Sequence, residues 1–347
     1  FQSSVRSPPC HWHAGKMPQG ISAAEAVLNA LRGSGLSKAA GLEVAEFPHG
    51  GTSVRGMRSK DHIAKAQKIL EVPKPALLTD ELKLSEPRFR GLSNPLGLYL
   101  AERRNSLQHQ ASTNDQVFDR YVRSLPSLEE AYASGVPLAT PLEDVDRLEG
   151  LPRLGGVAQM VHGVRVGLAR DLAQYNSEAS KSGHEQLSFD DALWGAVMVR
   201  TRGFSCGDGT SALAPVADLV NHSYLPNARW TCDSGTDAKL TLISKAETPP
   251  GEEILINYKA QSNPGAETYL KTYGFIEGAR PVVWPAAECS KLRAANLQGH
   301  APLLDAARRL VAEKCVQKPV DTPLLVQMMP ILAEPPPVSK RRLRSFL

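Results

Sequence analysis

The stretch from Pro215 to Phe275 constrains the fold of this chain more than any other. It contains two short apolar segments, 216–220 and 254–257, each predicted as a strand because it is rich in branched residues. The first leads to the pair Asn221–His222, and the second leads to Tyr258. Because polar side chains at the ends of elements commonly carry function, we expect the functional site in this stretch.

A hairpin and a helix complete the stretch. Residues 239–244 alternate polar and apolar side chains, which predicts a half-buried strand, and the Pro-Pro-Gly turn at 249–251 reverses the chain after it. A helix is predicted after Asn263, a good N-cap that is followed by Pro264 at the first helical position. Gly274 suits a left-handed stop for this helix.

Three ordered motifs in this stretch resemble those of the SET-domain protein methyltransferases. Asn-His-Ser at 221–223, with Pro-Asn at 226–227, resembles the family's Asn-His-Ser motif. Gly-Glu-Glu-Ile at 251–254, followed by Tyr258, resembles its Gly-Glu-Glu motif with a following tyrosine. The run that ends in Tyr-Gly-Phe at 273–275 resembles the subgroup typified by the Rubisco large-subunit lysine methyltransferase. Taken singly, an Asn-His pair is more often a satisfied polar pair, and such a tyrosine more often packs in the core. Their common order favours the SET interpretation.

Two further segments resemble the same subgroup. Tyr-Val-Arg-Ser-Leu-Pro at 121–126 is similar to a signature of its helical insert, and Arg-Thr-Arg-Gly-Phe-Ser at 200–205 is similar to its Arg-Ser-Arg-x-Phe-Ser motif. In that motif the counterpart of Arg202 touches both the cofactor and the substrate. A guanidinium suits a carboxylate, such as the one on the amino-acid end of S-adenosylmethionine. The alternative is that Arg200 and Arg202 are surface charges at a helix end.

Residues 52–59 resemble the first SET motif, in which a glycine-bearing turn lets the backbone approach the methionine end of the cofactor. Val54 stands at the first of the two glycine positions of this motif, and only Gly56 remains. An ordinary hairpin turn is the alternative. The resemblance implies cofactor contacts from four residues here: Ser53, Val54, Arg55 and Met57.

The resemblance also assigns the remaining site residues, and it implies S-adenosylmethionine as cofactor without any metal ion. Tyr258 is the expected catalytic residue, with its hydroxyl directed at the sulfonium methyl and the acceptor amine. Further cofactor contacts are expected from Arg202, Asn221, His222 and Phe275. Contacts to the substrate are expected from Arg202, Phe204, Asp218, Trp230, Tyr258 and Tyr273. Trp230 stands where relatives often have tyrosine, which we expect to affect how many methyl groups are added.

The expected fold class is α+β, with a β-rich SET core that is interrupted by a helical insert. The first part of the core is predicted at 41–79, the insert at 80–191, and the second part of the core at 192–278. Residues 1–40 form an N-terminal extension. Residues 279–347 are predicted as a helical C-terminal region, a shortened or truncated form of the family's substrate-docking domain.

Composition places the chain among ordinary globular proteins. Of its residues 42% are hydrophobic and 22% charged, and the net charge of +4 is too small to indicate nucleic acid or an anionic membrane as a partner. No apolar run approaches the roughly 18 residues of a membrane helix. The five scattered cysteines argue against a disulfide framework and for a reducing compartment. A monomer that binds a protein substrate, without nucleic acid or membrane, is expected.

The first 24 residues contain no acidic side chain but do contain serine and arginine. This composition resembles an organelle transit peptide or its remnant, which would place the protein in the chloroplast or another organelle. The alternative is a disordered tail, with the protein in the cytoplasm. The Cys-His-Trp-His run at 10–13 has no partners at metal-ligand spacing, so no metal site is expected there.

The resemblance implies a protein-lysine N-methyltransferase that uses S-adenosylmethionine. Two alternatives stay open. Relatives of the same architecture methylate a histidine of actin, so histidine is a second acceptor. A SET-derived binding module without catalysis is the other alternative; Val54 favours it, whereas the presence of Asn221, His222 and Tyr258 opposes it.

Overall fold

The fold is taken from a computed structural model of the chain, which describes residues 19–35, 41–49, 52–79, 86–109, 117–206, 210–233, 235, 238–258, 266–276, 283–295 and 297–315. The predicted helix start at Asn263 and Pro264, the run at 10–13 and most of the predicted C-terminal region lie outside these residues.

Short strands occupy two separate parts of the chain. The described residues form β1 (Leu42–His49), β2 (Thr52–Ser59), β3 (Lys68–Pro73), β4 (Leu78–Thr79), β5 (Phe204–Ser205), β6 (Ser211–Leu213), β7 (Asn221–His222), β8 (Ala228–Cys232), β9 (Lys239–Ser244) and β10 (Glu253–Ile256). They build three sheets, with the strand orders β1-β2-β10-β7, β3-β9-β8 and β4-β6-β5. Each sheet combines strands from both parts of the chain.

In the described residues, one helix precedes β1, and the others lie between β4 and β5 or follow β10. They are α1 (Gln19–Gly33), α2 (Pro95–His109), α3 (Val117–Ser124), α4 (Leu128–Ala133), α5 (Leu142–Val145), α6 (Gly155–Lys181), α7 (Phe189–Arg202), α8 (Ala266–Tyr273), α9 (Ala286–Ala294) and α10 (Pro302–Lys314). The predicted α+β class with a helical insert is therefore confirmed. In the part of the chain that the structure describes, no helix is long and apolar enough to cross a membrane.

Strand β10 joins the two halves of the sheet that carries the predicted motifs. It pairs antiparallel with β2, where Ile254 lies opposite Met57, and parallel with β7 on its other side. In the parallel pair, Leu255 lies opposite Asn221 and Ile256 lies opposite His222. The Asn-His pair and the strand that leads to Tyr258 therefore lie side by side, although about 35 residues separate them in sequence.

Helix α7 positions the arginine motif. It begins with a capping box, in which the Ser188 hydroxyl accepts from the Asp191 amide at 3.1 Å and the Asp191 carboxylate accepts from the Ser188 amide at 3.1 Å. Trp194 is buried, and its Nε1 donates to the carbonyl of Pro126 at 2.8 Å. This anchored helix ends at Arg202, directly before β5, so it fixes the entry of the chain into the site.

Two predictions of local structure are wrong. Residues 216–220 are not a strand: a 3₁₀ turn occupies Ala217–Leu219, and Val216 before it has a φ of 73°. Positive φ is unfavourable for a β-branched residue, so the surrounding packing must hold this turn. Residues 52–59 are a strand rather than a glycine-bearing turn, because β1 pairs with β2 along its whole length.

The cysteine prediction is also wrong. Two disulfides are present, Cys206–Cys232 and Cys289–Cys315, and each joins residues that are 26 positions apart in sequence. The first joins the segment after β5 to the end of β8, and the second joins α9 to the residue after α10. Because 26 positions separate the partners of each pair, no local pattern indicated either disulfide. The fifth cysteine, Cys10, lies outside the described residues. The inference of a reducing compartment therefore loses its basis.

Candidate active site

A cavity lies where α7, the 3₁₀ turn and the end of β10 meet. We call it the central cavity. Ten residues line it: Thr201, Arg202, Gly203, Phe204, Asp218, Val220, Trp230, Ile256, Tyr258 and Tyr273. All six residues that the sequence predicts as substrate contacts are among them, although they come from five separate segments of the chain.

A buried ion pair forms the polar wall of the central cavity. Arg202 Nη1 donates to Asp218 Oδ2 at 3.0 Å, and the hydroxyl of Tyr121 on α3 donates to the same oxygen at 3.1 Å. The Asp218 side chain is only 1% exposed. Its other oxygen, Oδ1, is buried and has no hydrogen-bond partner among the described residues. A buried carboxylate oxygen without a partner is costly, so a donor that reached Oδ1 would be stabilised there.

The charges around this pair favour an anion beside it. Burial by itself would lower the pKa of Arg202, but the Asp218 carboxylate outweighs burial and raises it. Arg55 on β2 lies close by, and burial together with the charge of Arg202 lowers its pKa. The two guanidinium groups thus repel each other, and for Arg55 the carboxylates of Glu130 and Asp218 offset burial and this repulsion only in part. A further anionic group beside them would relieve the repulsion.

Tyr258 is held at both ends. Its hydroxyl donates to the carbonyl of Val220 at 3.0 Å, and its backbone N–H donates to Nδ1 of His222 at 3.2 Å. Burial raises the pKa of this hydroxyl above its ordinary value, so the phenol stays neutral at physiological pH. Because the proton points at Val220, the hydroxyl lone pairs remain available to the central cavity.

Aromatic rings form the other walls. Phe204 and Trp230 meet edge to face with their ring centroids 5.1 Å apart, and Trp230 Nε1 donates to the carbonyl of Asn257 at 3.4 Å. Tyr273 lies with its ring 5.0 Å from that of Tyr258. Burial, and secondarily the neighbouring Tyr269, raise the pKa of Tyr273 to about 12. The walls are therefore aromatic and uncharged, which suits an alkyl chain or a cation.

Asn221 connects the central cavity to β2. Its Nδ2 donates to Glu253 Oε1 at 2.7 Å and to the backbone carbonyl of Arg55 at 3.1 Å. A Cβ atom at position 56, where the chain has glycine, would lie 2.6 Å from Asn221 Nδ2 and 2.7 Å from Glu253 Oε1. Glycine is therefore required at this position so that the amide of Asn221 can reach the β2 backbone. We call Arg55, Gly56, Asn221 and Glu253 the β2 junction.

His222 lies in an aromatic stack and is neutral. Burial lowers its pKa to about 4. Its ring centroid lies 4.5 Å from that of Tyr269 and 5.6 Å from that of Phe275, in near-parallel planes. The hydroxyl of Tyr269 donates in turn to Asn257 Oδ1 at 3.1 Å. This stack fixes the chain on both sides of Tyr258.

Comparison with known proteins gives the family. The family model described as "SET domain" matches residues 54–259, which is more than half of the chain. This chain belongs to the SET-domain family. Among curated proteins, SET domain-containing protein 8 of Schizosaccharomyces pombe is 24% identical over 159 residues, which cover 46% of this chain and 34% of that protein.

Solved structures agree on the fold of this SET domain. The SET domain of LSMT bound to lysine and AdoHcy has a TM-score of 0.58 and 19% identity, covering 76% of this chain and 58% of that one. Rubisco LSMT bound to AdoMet has a TM-score of 0.56 and 19% identity, covering 81% and 65%. The chain therefore spans about a third of the curated relative and less than two thirds of these solved chains. At this identity the likeness concerns the fold.

The predicted cofactor residues of the SET domain are less concentrated than the predicted substrate residues. Arg55 and Asn221 belong to the β2 junction, His222 and Phe275 belong to the aromatic stack, and Arg202 lines the central cavity. The side chains of the other three make different contacts. Met57 is fully buried in the core, Val54 pairs opposite Phe47 in the sheet, and the hydroxyl of Ser53 donates to Glu46 Oε2 at 3.0 Å. A cofactor contact from these three would have to come from the backbone.

Sequence reasoning missed several residues that organise the site. Tyr121 and Glu253 belong to motifs that the sequence does display, but only their contacts with Asp218 and Asn221 identify their roles. The side-chain amide of Asn227 bonds to two backbone groups of β10, as a paired strand would. Its Nδ2 donates to the carbonyl of Glu253 at 2.7 Å, and its Oδ1 accepts from the Leu255 amide at 2.8 Å. The Pro-Asn segment after the Asn-His-Ser motif was the signal for it. No sequence signal marks Tyr269.

Proposed function

We propose that this chain is a protein-lysine N-methyltransferase that uses S-adenosylmethionine. The observation that carries the proposal is the central cavity. It brings a buried carboxylate with a free oxygen, a fixed neutral phenol and three aromatic walls together beside the Asn-His pair. Solved structures of the same fold are described with AdoMet, and with lysine and AdoHcy, which supports this choice of ligands.

The donors around the β2 junction fit S-adenosylmethionine. Arg55 and Arg202 offer two guanidinium groups to one carboxylate, in agreement with the lowered pKa of Arg55. Asn221 and the β2 backbone offer amide and carbonyl groups to the amino-acid end. The neighbouring rings of His222, Tyr258 and Phe275 offer faces that suit a cation. When bound, this cofactor supplies a methyl group on a sulfonium, which leaves as a neutral thioether once an amine has taken the methyl.

The central cavity favours the neutral form of a lysine amine, which methyl transfer requires because an ammonium has no lone pair. Apolar walls disfavour the charged form, and Arg202 compensates the charge of Asp218. One N–H of the amine would donate to Asp218 Oδ1. This contact orients the amine and satisfies the buried oxygen.

Tyr258 is the proposed catalytic residue. Because its proton is committed to Val220, its oxygen presents lone pairs to the amine and to the polarised methyl hydrogens. A fixed acceptor of this kind needs no reorganisation during the transfer. Phe204, Trp230 and Tyr273 would exclude water and align the alkyl chain of the acceptor.

A label-transfer experiment tests the proposal. The protein is incubated with S-adenosylmethionine labelled in the methyl group and with a total-protein extract, and the acid hydrolysate is separated into methylated amino acids. We expect the label in N-ε-methyllysine. Label in methylhistidine would replace the proposed acceptor, and binding of S-adenosylhomocysteine without any transfer would identify a binding module instead.

A further inference from the structure

The Cys206–Cys232 disulfide joins the two segments that carry Phe204 and Trp230, which line the central cavity. Cys206 comes two residues after Phe204, and Cys232 comes two residues after Trp230. In extended chains, side chains two residues apart point to the same side and lie about 6–7 Å apart. The same two segments therefore contact each other twice. Phe204 meets Trp230 with ring centroids 5.1 Å apart, and two residues further along each segment Cys206 is bonded to Cys232.

Backbone pairing does not hold these two segments against each other. β5 is an edge of the sheet β4-β6-β5, and β8 is an edge of the sheet β3-β9-β8. β5 has only two residues, and its pairs are Phe204 with Ala212 and Ser205 with Ser211. The ring contact and the S–S bond therefore link this segment directly to β8.

We propose that the Cys206–Cys232 disulfide is a positioning element that sets the width of the central cavity between Phe204 and Trp230. It acts on acceptor binding, and reduction loosens this wall. The inference rests on the proposed function, because it concerns how the same cavity takes its lysine. Cofactor binding is spared, since Asn221 and Arg55 belong to the sheet β1-β2-β10-β7, which the disulfide does not join, and Arg202 at the end of α7 is held by its own bonds to Asp218.

The redox step is ordinary thiol–disulfide exchange. Dithiothreitol contributes two electrons and two protons, the S–S bond becomes two thiols, and dithiothreitol leaves as its cyclic disulfide. A dithiol protein would supply the same electrons by the same exchange.

The second disulfide is a matched control. Cys289–Cys315 closes a segment of the same sequence separation, 26 residues, and both of its cysteines are buried. It joins α9 to the residue after α10, and no residue that lines the central cavity lies within two positions of either of its cysteines, whereas Phe204 and Trp230 lie two positions from Cys206 and Cys232.

The experiment compares two double variants, Cys206→Ser with Cys232→Ser and Cys289→Ser with Cys315→Ser. The acceptor probe is Nα-acetyl-lysine amide, which contains little beyond the side chain that enters the cavity. We expect the first variant to raise the KM for this probe about tenfold, as misplaced walls do, with unchanged affinity for S-adenosylhomocysteine. The control variant should keep the wild-type KM. An equal change in both variants, or in neither, overturns the inference.

A second measurement is made on the wild type itself and does not require catalysis. Hydroxyl-radical footprinting with mass spectrometry reports the labelling of Trp230 in the wild type before and after reduction. We expect reduction to raise the labelling of Trp230 in the wild type and in the control variant alike; unchanged labelling contradicts the inference. If the wild type binds S-adenosylhomocysteine but methylates nothing, the proposed function fails, while this footprint still decides whether the disulfide holds the wall.

Discussion

The central cavity and the β2 junction are adjacent, but they are built in different ways. The central cavity is made of side chains: a carboxylate, two tyrosine hydroxyls and aromatic rings. The β2 junction is made largely of backbone, because the amide of Asn221 bonds to the Arg55 carbonyl across Gly56. Side-chain chemistry is visible in a sequence, whereas backbone chemistry is not. This is why all six predicted substrate residues line one cavity, while three of the eight predicted cofactor residues direct their side chains elsewhere.

The largest effect is expected from Asp218→Ala, which removes the carboxylate that pairs with Arg202 in the central cavity. Breaking a buried ion pair in this way costs about 3–5 kcal/mol of unfolding free energy. Urea unfolding measures it. Asp305→Ala, which breaks the exposed pair with Arg308, is the control and should cost no more than about 1 kcal/mol. Equal losses in the two variants would mean that the central cavity is not an electrostatic centre.

The β2 junction is tested by Asn221→Ala. The substitution leaves Glu253 and the Arg55 carbonyl without their amide donor, and we expect cofactor binding to weaken by about 1–3 kcal/mol. Calorimetry with S-adenosylhomocysteine measures it. Asn227→Ala removes a different amide that also bonds to β10, and it should lower stability with little change in affinity. Unchanged affinity in a folded Asn221→Ala protein would displace the cofactor site from this junction.

His222 makes the boundary between the two regions sensitive to pH. Its pKa is about 4 when folded and about 6.5 when unfolded, so the unfolded state binds more protons between these values. Stability is therefore complete above pH 6.5 and is lost as the pH falls toward 4. After allowance for partial solvation of the ring, the loss is about 1–2 kcal/mol. The urea midpoint should fall less between pH 7.5 and pH 5 in His222→Phe than in the wild type. The same dependence of the midpoint on pH in both proteins would contradict this assignment.

The smallest effect concerns Val54→Gly, which restores the glycine that the SET motif usually has. Val54 lies in a paired strand opposite Phe47, so glycine there should cost about 0.5–1 kcal/mol of stability and should not raise cofactor affinity. Calorimetry and urea unfolding check both parts. A clear gain in affinity would show that Val54 does restrict the β2 junction, as the inactive-module alternative supposes.

Much of the fold follows from local patterns. Strands at 239–244 and 253–256 and the left-handed Gly274 agree with alternation and turn chemistry. The prediction failed where tertiary contacts decide. The apolar run at 216–220 became a turn because Val216 is forced to positive φ. The partnership of Tyr121 with Asp218 and the disulfide between Cys206 and Cys232 join residues whose proximity no local pattern records.

The central claim is that the Tyr258 hydroxyl acts in the transfer while the ring supports the fold. Tyr258→Phe removes only the oxygen, and melting temperature, affinity for S-adenosylhomocysteine and methyl transfer are measured on this one variant. We expect the protein to stay folded with nearly intact affinity and a somewhat lower melting temperature, because the Val220 carbonyl loses its donor, while turnover falls roughly 10²-fold, the scale of one lost preorganised polar contact. Near-normal turnover with a lowered melting temperature would contradict it. The hydroxyl would then serve only its bond to Val220, and Tyr273 would become the candidate for the catalytic residue.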